Sequence, residues 1–228
     1  MLKIDLNLVK EYKGVSFSER QLDLINESAK WLSAVVNHPD FDDQVKTFKY
    51  RTRRGRVKKG GFRKSNGLTN AGVLAKFKSG DDDFANQLAN DSNVAGDRDI
   101  DIWLHPYNSG ETGYVSKVGF TNKSTYATWI NVLKLDAWLD DPRLKRVDQI
   151  ALVIKNMVHE YCHNLGFQHR GNKVSHFNNG TVPYALGIIA EKVLKELMKE
   201  EAEIDVNKIA EVELAFPCEN PAGDSLLK

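Results

Sequence analysis

Three histidines fall within eleven positions of the chain, in the stretch HEYCHNLGFQH at residues 159–169. His159 and His163 are four residues apart, so in a helix their imidazoles project from one face at a separation that suits two ligands of one metal ion. Gly166 follows three residues later, where a glycine at positive φ can end a helix and turn the chain sharply. His169 can then return as a third ligand. Three imidazoles leave one tetrahedral position of zinc open, which is typical of a catalytic site.

Glu160 comes directly after the first of these ligands. A carboxylate in that position can accept a proton from water on the metal without binding the ion itself. Because HExxHxxGxxH fixes five positions, it is a much more specific pattern than HExxH alone. The sequence therefore predicts one catalytic Zn²⁺ with Glu160 as general base. The alternatives are histidines that bind no metal and a zinc site that does not catalyse.

At these residues the chain resembles the metzincin clan of zinc metallopeptidases, whose long consensus it matches at all five fixed positions. The resemblance implies an α+β fold with an α/β-like N-terminal lobe: a twisted mixed sheet, a backing helix, an active-site helix and a small C-terminal helical subdomain. It also implies an endopeptidase whose peptide or protein substrate lies against an edge strand, GYVSKVGFT at 113–121, by strand addition. Arg170 does not match the best-known families, so the resemblance is to the clan alone.

The clan places a methionine in a tight turn under the metal, and here no methionine occurs between His169 and Met198. Met198 lies in the apolar stripe of a terminal helix, which predicts a core residue. The stretch TVPYALG at 181–187 occupies the place of the turn. Within it, Tyr184 is an auxiliary electrophile or a fifth ligand on one interpretation and a packing residue on the other.

The remaining cysteines and histidines carry weaker signals. Two cysteines are too few for a disulfide scaffold, and Cys162 is predicted to be a small packed side chain. For Cys218 the alternatives are a free thiol, a bond to Cys162 and a cap on the zinc. His38, His105 and His176 have no ligand spacing and are predicted to be ordinary, with a hydrogen bond near the site as the alternative for His176.

Periodicity places the elements that must position the motif. Alternation over residues 2–8 predicts a strand, and the capping box SERQ at 18–21 begins a predicted helix over about 19–37. A weak helix is expected at about 69–78. Three stretches rich in β-branched and aromatic residues then predict strands. They are residues 100–106, 113–121 and 128–135.

The helix that carries the motif is predicted to begin at Asp141 and Pro142, an N-cap followed by proline at the first helical position. Apolar residues at three- and four-residue spacing continue to Gly166. The pattern predicts a helix of about 24 residues, roughly 36 Å long.

Two charged stretches lie outside the motif. Residues 49–64 carry nine basic residues and no acid, which predicts a solvated loop or hairpin. The alternatives are a surface for nucleic acid or an acidic partner, and a processing site for a trypsin-like enzyme. Residues 91–101 resemble a calcium loop, but Ile102 stands where an EF-hand needs glutamate. A Ca²⁺ site in this segment is therefore an alternative only if it has a design other than the EF-hand.

At 228 residues the chain is expected to form one catalytic domain, with an N-terminal lobe at 1–166 and a C-terminal subdomain at 167–228. A net charge of +1 gives no general attraction to nucleic acid or membrane, and neither partner is expected. With no signal peptide or membrane span, the chain is expected to be soluble, secreted if a leader is removed and otherwise cytoplasmic.

The predicted function is that of a zinc endopeptidase. Two alternatives remain: a catalytically silent or latent metzincin-fold protein that binds partners through residues 49–64, and a zinc hydrolase of a non-peptide amide. The sequence leaves the oligomeric state open.

Overall fold

The computed structural model describes residues 1–50, 61–80, 99–108, 119–121, 128–169, 175, 178–200 and 212–215. Within them the chain forms six α-helices, one short 3₁₀ helix, a five-stranded sheet and a two-stranded hairpin, which confirms the expected mixture of α and β structure. In chain order the elements are β1 (Lys3–Leu8), β2 (Glu11–Tyr12), β3 (Val15–Ser16), α1 (Glu19–Asn37), α2 (Pro39–Thr47), α3 (Asn70–Lys78), β4 (Asp99–Tyr107), β5 (Gly119–Thr121), β6 (Thr128–Asn131), α4 (Val132–Leu139), α5 (Arg146–Asn164), the 3₁₀ helix (Asn178–Gly180), α6 (Val182–Glu200) and β7 (Val212–Ala215).

The main sheet has the strand order β5-β6-β4-β1-β7. Strand β1 runs parallel to both β4 and β7, and β4 runs parallel to β6, whereas β5 is antiparallel to β6 at the edge of the sheet. In register, Leu6 lies opposite Ile102 on one side and Leu214 on the other. The segment expected to belong to a C-terminal subdomain therefore also supplies a strand beside the first strand of the chain.

The core lies between one face of this sheet and the helices. Alternate residues of β1 are fully buried, as expected for a strand with one face on the core. In β4, Ile100, Ile102 and Leu104 face the core in the same way, and residues of its other face are buried as well. Helices α1, α5 and α6 contact one another, and α1 also contacts β1. The buried cluster includes Ile4, Leu6, Ile100, Ile102, Leu104 and Ile130 from the sheet, and Leu24, Ile25, Leu32, Ile150, Ile154 and Tyr161 from the helices.

The hairpin β2-β3 packs against β4. Tyr12 contacts the rings of His105 and Trp129 edge-on, with ring centroids 5.6 and 5.9 Å apart. His105 follows the core residue Leu104, so its side chain projects from the opposite face of β4. His105 is thus a buried member of an aromatic cluster on that second face.

Helices α1 and α3 confirm the predicted elements. Helix α1 begins with the expected capping box: the Gln21 amide donates to the Ser18 hydroxyl, and the Ser18 amide donates to the Gln21 side chain. Helix α3 begins after Thr69, whose hydroxyl accepts from the Gly72 amide. Both boundaries follow from polar side chains that satisfy orphan amide groups.

The expected strand at 128–135 is wrong in its second half. Strand β6 ends at Asn131, and α4 begins at the next residue. The side-chain oxygen of Asn131 accepts from the Leu133 amide, which is an N-cap contact. Val132 and Leu135 are buried three residues apart on one face of the helix. An apolar run of this length fits either element, and the cap favours the helix.

The predicted start of the motif helix at Asp141 and Pro142 is also wrong. Asp141 instead closes a local turn in which its carboxylate accepts from the backbone and guanidinium of Arg143. Helix α5 begins at Arg146, with the Asp148 carboxylate accepting from the Lys145 amide. Its 19 residues give a helix about 28 Å long.

Several expectations are met only in part or lie outside the described residues. Helix α2 was not predicted; its N-cap is His38, whose Nδ1 accepts from the Asp40 amide. Strand β5 is the last part of the strand expected at 113–121. Met198 is partly buried and packs against the core. The stretches 51–60 and 81–98, which hold most of the basic and acidic runs, lie outside the described residues.

None of the helices in the described part of the chain is long and apolar enough to cross a membrane.

Candidate metal centre

The centre begins at the C-terminal end of α5. Gly166 has φ = 81°, a left-handed conformation that glycine adopts without steric cost. The Gly166 amide donates to the His163 carbonyl and the Phe167 amide donates to the Cys162 carbonyl, both at 3.0 Å. This pair of bonds is a Schellman motif, which ends the helix and reverses the chain. The predicted glycine turn is confirmed.

The turn brings His169 back to the helix face that carries His159 and His163. Their ring centroids lie 4.8 to 5.0 Å apart. One nitrogen from each ring can be chosen so that the three lie within 4.8 Å of one another. Nε2 of His159 and Nε2 of His169 are 3.1 Å apart. The structure thus brings together all three histidines that the sequence predicts as ligands.

His163 is oriented by a backbone group of the same turn. Its Nδ1 lies 2.7 Å from the Phe167 carbonyl oxygen, to which it donates a hydrogen bond. A protonated Nδ1 leaves the lone pair of a neutral imidazole on Nε2. This is the arrangement in which a histidine ligand of a metal is commonly held, with its second nitrogen bonded to a carbonyl.

The spacing of the His159 and His169 nitrogens is compatible with a shared zinc ion. With zinc–nitrogen distances of about 2.0–2.1 Å and tetrahedral angles, two ligating nitrogens lie about 3.4 Å apart. The separation of 3.1 Å between His159 and His169 is close to this value. The donor set of three imidazoles is one that zinc accepts in catalytic sites. His159, His163 and His169 could therefore hold Zn²⁺.

The surroundings of His159 favour its neutral imidazole form. Burial, followed by electrostatic interactions with His163, His169 and Lys155, holds the pKa of His159 well below its usual value. A ligand imidazole must be neutral to offer its lone pair. The environment of His159 therefore favours the form that binds metal.

Glu160 projects from α5 into a buried setting, with 4% of its surface exposed. The charge of Glu160 affects the pKa of two tyrosines. Burial and the negative charge of Glu160 raise the pKa of Tyr107 to about 12, and the same two causes raise the pKa of Tyr184. Both phenols are therefore protonated donors at neutral pH.

Tyr184 lies against the three-histidine cluster. Its ring centroid is 4.4 Å from that of His159 and 4.9 Å from that of His169, in edge-on geometry. The residue belongs to the first turn of α6, just after Pro183. Helix α6 therefore places a phenol beside the candidate ligands, as one of the two sequence interpretations requires.

The α5 face that carries Glu160 is polar over three turns. Asn156 and Asn164 lie four residues before and after Glu160, and residues at this spacing share a helix face. Both asparagines are buried, Asn164 with 1% of its surface exposed. This stripe is distinct from the face of α5 that meets α6, where Lys155 pairs with Glu191.

No protein-family model, curated protein or solved structure matches the chain. The interpretation of the centre therefore depends on its own residues and geometry.

Other residues singled out in the sequence lie elsewhere. Cys162 is a fully buried free thiol, as predicted, and burial followed by the charge of Glu160 raises its pKa well above the ordinary value. His38 caps α2, and His105 belongs to the aromatic cluster on the second sheet face. His176 and Cys218 lie outside the described residues.

Tyr107 was missed in the sequence. It is the last residue of β4, and the charge of Glu160 contributes to its raised pKa. The only signal available was its place at the carboxyl end of a predicted parallel strand, where functional side chains of such sheets often lie.

Proposed function

We propose that the protein is a zinc-dependent endopeptidase of the metzincin type. The observation that carries this proposal is the convergence of three imidazoles, with nitrogens of His159 and His169 3.1 Å apart, beside the buried carboxylate of Glu160. His159, His163 and His169 would hold the ion. When bound, zinc supplies Lewis acidity toward a carbonyl oxygen and lowers the pKa of water to about 7.

Glu160 acts as the general base. Its carboxylate takes the proton of the attacking water and later delivers it to the leaving amine, so no covalent intermediate with the protein is needed. Burial of Glu160 removes competing solvent from this transfer. Asn156 and Asn164, one turn before and one turn after Glu160, place further buried polar side chains on the same face of α5.

Tyr184 acts as an electrophile. Its phenol stays protonated at neutral pH because burial and the charge of Glu160 raise its pKa. Its ring lies against His159 and His169, and we propose that its hydroxyl reaches the carbonyl of a bound peptide. A hydrogen bond to the oxygen that becomes negative stabilises the transition state more than the ground state.

The substrate is proposed to lie along β5 in extended form. Strand β5 is the edge of the five-stranded sheet, and it contacts α5. An edge strand presents backbone donors and acceptors to which a peptide can add as a further strand. This mode suits a protein or peptide better than a small non-peptide amide, because it recognises the main chain on both sides of the cut.

The experiment that tests the function compares wild-type protein with Glu160→Gln, both loaded with zinc, on a mixed peptide library analysed by mass spectrometry. Glutamine keeps the shape of the side chain but cannot accept the proton. We expect cuts by the wild type only, at least 100-fold faster than any by the variant, with equal zinc content. The positions of the cuts also report the preferred neighbouring residues.

Other results would contradict the proposal in distinct ways. Equal cutting by both proteins would remove Glu160 from the mechanism. Zinc binding without cutting by the wild type would favour a binding protein or an amide hydrolase. Absence of zinc binding would overturn the metal centre itself.

A further inference from the structure

Residues 61–68, here called the clamp segment, have an unusual backbone. Gly61, Lys64, Asn66 and Gly67 all have positive φ, at 73°, 52°, 53° and 81°. For the two residues that are not glycine this conformation costs of the order of 1 kcal/mol or more each. Such a conformation persists only where contacts to the rest of the protein favour it.

The first of those contacts reaches the glycine turn of the metal centre. The Asn66 side-chain amide donates to the Gly166 carbonyl at 3.2 Å, across 100 positions of sequence. Gly166 precedes His169 by three residues, and no helix or strand includes residues 167–169. The position of the third ligand therefore follows that of the turn, because only two residues separate Gly166 from His169.

The second contact reaches the turn before α6. The Arg63 amide donates to the Gly180 carbonyl at 2.6 Å, and Arg63 forms a parallel bridge with Thr181. The Arg63 guanidinium lies over the ring of Tyr50 and donates to its hydroxyl at 3.1 Å. A Cβ on Gly180 would lie 2.0 Å from the same ring, so the turn fits closely against it.

The clamp segment is itself anchored in the core. The ring of Phe62 is buried and stacks on that of Phe48, with centroids 4.4 Å apart. Next to it, the Asn70 side-chain amide donates to the carbonyls of Lys46 and Phe48. A rigid base therefore supports the two contacts described above.

We propose that Asn66 of the clamp segment positions the metal centre by placing the glycine turn that leads to His169. The contacts of Arg63 with the turn before α6 hold the clamp segment in place. The glycine turn and the turn before α6 are both far from the clamp segment in sequence. The side chains that follow them nevertheless meet, because the rings of His169 and Tyr184 are 4.9 Å apart. This inference rests on the zinc site of the proposed function. Asn66 is a positioning residue, since it touches neither the ion nor the reacting atoms.

The test uses a matched pair of substitutions, Asn66→Gly and Lys64→Gly. Both residues are exposed and have nearly the same positive φ, so glycine relieves backbone strain at each, and it relieves more at Lys64 because asparagine tolerates this conformation better than lysine. Only Asn66→Gly removes the hydrogen bond to the turn. Asn66→Asp serves as a second variant, because it keeps the side-chain shape but loses the donor.

Zinc affinity is measured by competition with a chelator, and the visible absorption of the cobalt-substituted protein reports the coordination geometry. We expect Asn66→Gly and Asn66→Asp to weaken zinc binding about three- to tenfold, as loss of one hydrogen bond allows, and to alter the cobalt spectrum. Lys64→Gly should match the wild type in both. The metal-free variants should unfold within a few degrees of the wild type.

Zinc affinities of both Asn66 variants within twofold of the wild type, with an unchanged cobalt spectrum, would overturn the positioning role. An equal loss of zinc affinity in Lys64→Gly would also overturn the positioning role, because the loss would then come from the change in the backbone alone. These readouts do not depend on peptide cleavage. If the wild type binds zinc but cleaves no peptide, the proposed peptidase is contradicted. The comparison of the Asn66 and Lys64 variants then still tests the positioning role.

Discussion

Two side chains of the centre are oriented by the backbone of their own neighbourhood. His163 donates from Nδ1 to Phe167, within the turn that Gly166 makes. Tyr184 follows Pro183 in the first turn of α6, so its ring position is set by the start of that helix. At the scale of single residues, the end of α5 and the start of α6 therefore determine where His163 and Tyr184 lie.

Replacing Tyr184 with phenylalanine tests its role as a donor. The ring contacts with His159 and His169 stay, and only the hydroxyl is lost. We expect kcat for a cleaved peptide to fall about 10- to 100-fold with little change in KM or zinc affinity, because the hydrogen bond strengthens in the transition state. Steady-state kinetics checks this.

Tyr12→Phe is the matched control, since Tyr12 packs in the aromatic cluster of the hairpin on the second sheet face. It should leave kcat unchanged. A Tyr184→Phe enzyme with wild-type kcat would assign Tyr184 to packing alone.

At the scale of elements, the contact between α5 and α6 matters most for the centre, because α5 carries two candidate ligands and α6 carries Tyr184. The two helices approach closely at Gly187, where an added Cβ would lie 2.7 Å from the carbonyl oxygen of Lys155. A backbone atom cannot move aside as a side chain can. The glycine therefore sets the separation of the helices.

Gly187→Ala should force α5 and α6 apart and destabilise the protein by about 1–3 kcal/mol, the usual cost of overpacking. Gly72→Ala in α3 is the control: its Cβ would meet only side-chain atoms, the nearest being Cβ of Leu68 at 3.3 Å. Alanine there should be neutral or stabilising by up to about 1 kcal/mol. Urea unfolding of both variants measures the difference. Equal stability of Gly187→Ala and wild type would contradict the close approach.

A group of charged side chains also links these helices. Lys195 bonds to Asp148 and Glu191, and Glu191 also accepts from Lys155 at 2.6 Å. The Lys195 bond lowers the pKa of Asp148, with a smaller opposing effect of burial. Burial raises the pKa of Glu191, but its bonds to the two lysines outweigh this and lower it overall.

A carboxyl group whose pKa is lower in the folded protein stabilises the fold above its unfolded pKa, and this contribution is lost as pH falls through the folded pKa. The double variant Asp148→Asn, Glu191→Gln should therefore be less stable than wild type by about 1 kcal/mol at pH 7. The difference should shrink as pH falls below about 4. Denaturant unfolding of the metal-free proteins across pH measures it.

Glu196→Gln is the control for the charge group, because Glu196 pairs with Lys192 within one turn of α6 and does not reach α5. Its difference from wild type should be small at every pH. If the difference in free energy of unfolding between the double variant and wild type stays constant from pH 7 to pH 2, the charges of Asp148 and Glu191 contribute nothing to stability.

At the scale of the whole molecule, the sheet joins both ends of the described chain. Strand β1 lies between β4 and β7, so β7 covers one side of β1 with backbone hydrogen bonds. Uncovered, that side would be a free edge able to pair with another chain.

Removing residues 201–228 should therefore lower the stability of the remaining protein by about 2–4 kcal/mol, at roughly 0.5–1.5 kcal/mol for each lost hydrogen bond. It should also promote association through β1. Thermal unfolding and light scattering measure the two effects. Zinc affinity should persist, since the candidate ligands lie at 159–169. A truncated protein with the oligomeric state and the stability of the full-length protein would contradict the role of β7.

Local signals in the sequence were sufficient for much of the fold and the centre. The capping box at Ser18 and the glycine turn at Gly166 depend on contacts within a few residues, and both were predicted. The end of β6 at Asn131 was missed because a short apolar run fits two elements. The contact of Asn66 with Gly166 spans 100 residues, and no local pattern reports such a distance.

The position of β7 has a consequence for the order in which the molecule can form. During synthesis, β1 is made first, and its partner β7 follows 208 residues later, from the pairing of Ile4 with Val212. At about 5–20 residues per second, roughly 10–40 s pass between the two strands. The three candidate ligands, Glu160 and Tyr184 all lie within residues 159–184, which are complete before β7 exists. The three candidate ligands can therefore be brought together in the nascent chain before β7 is available to pair with β1.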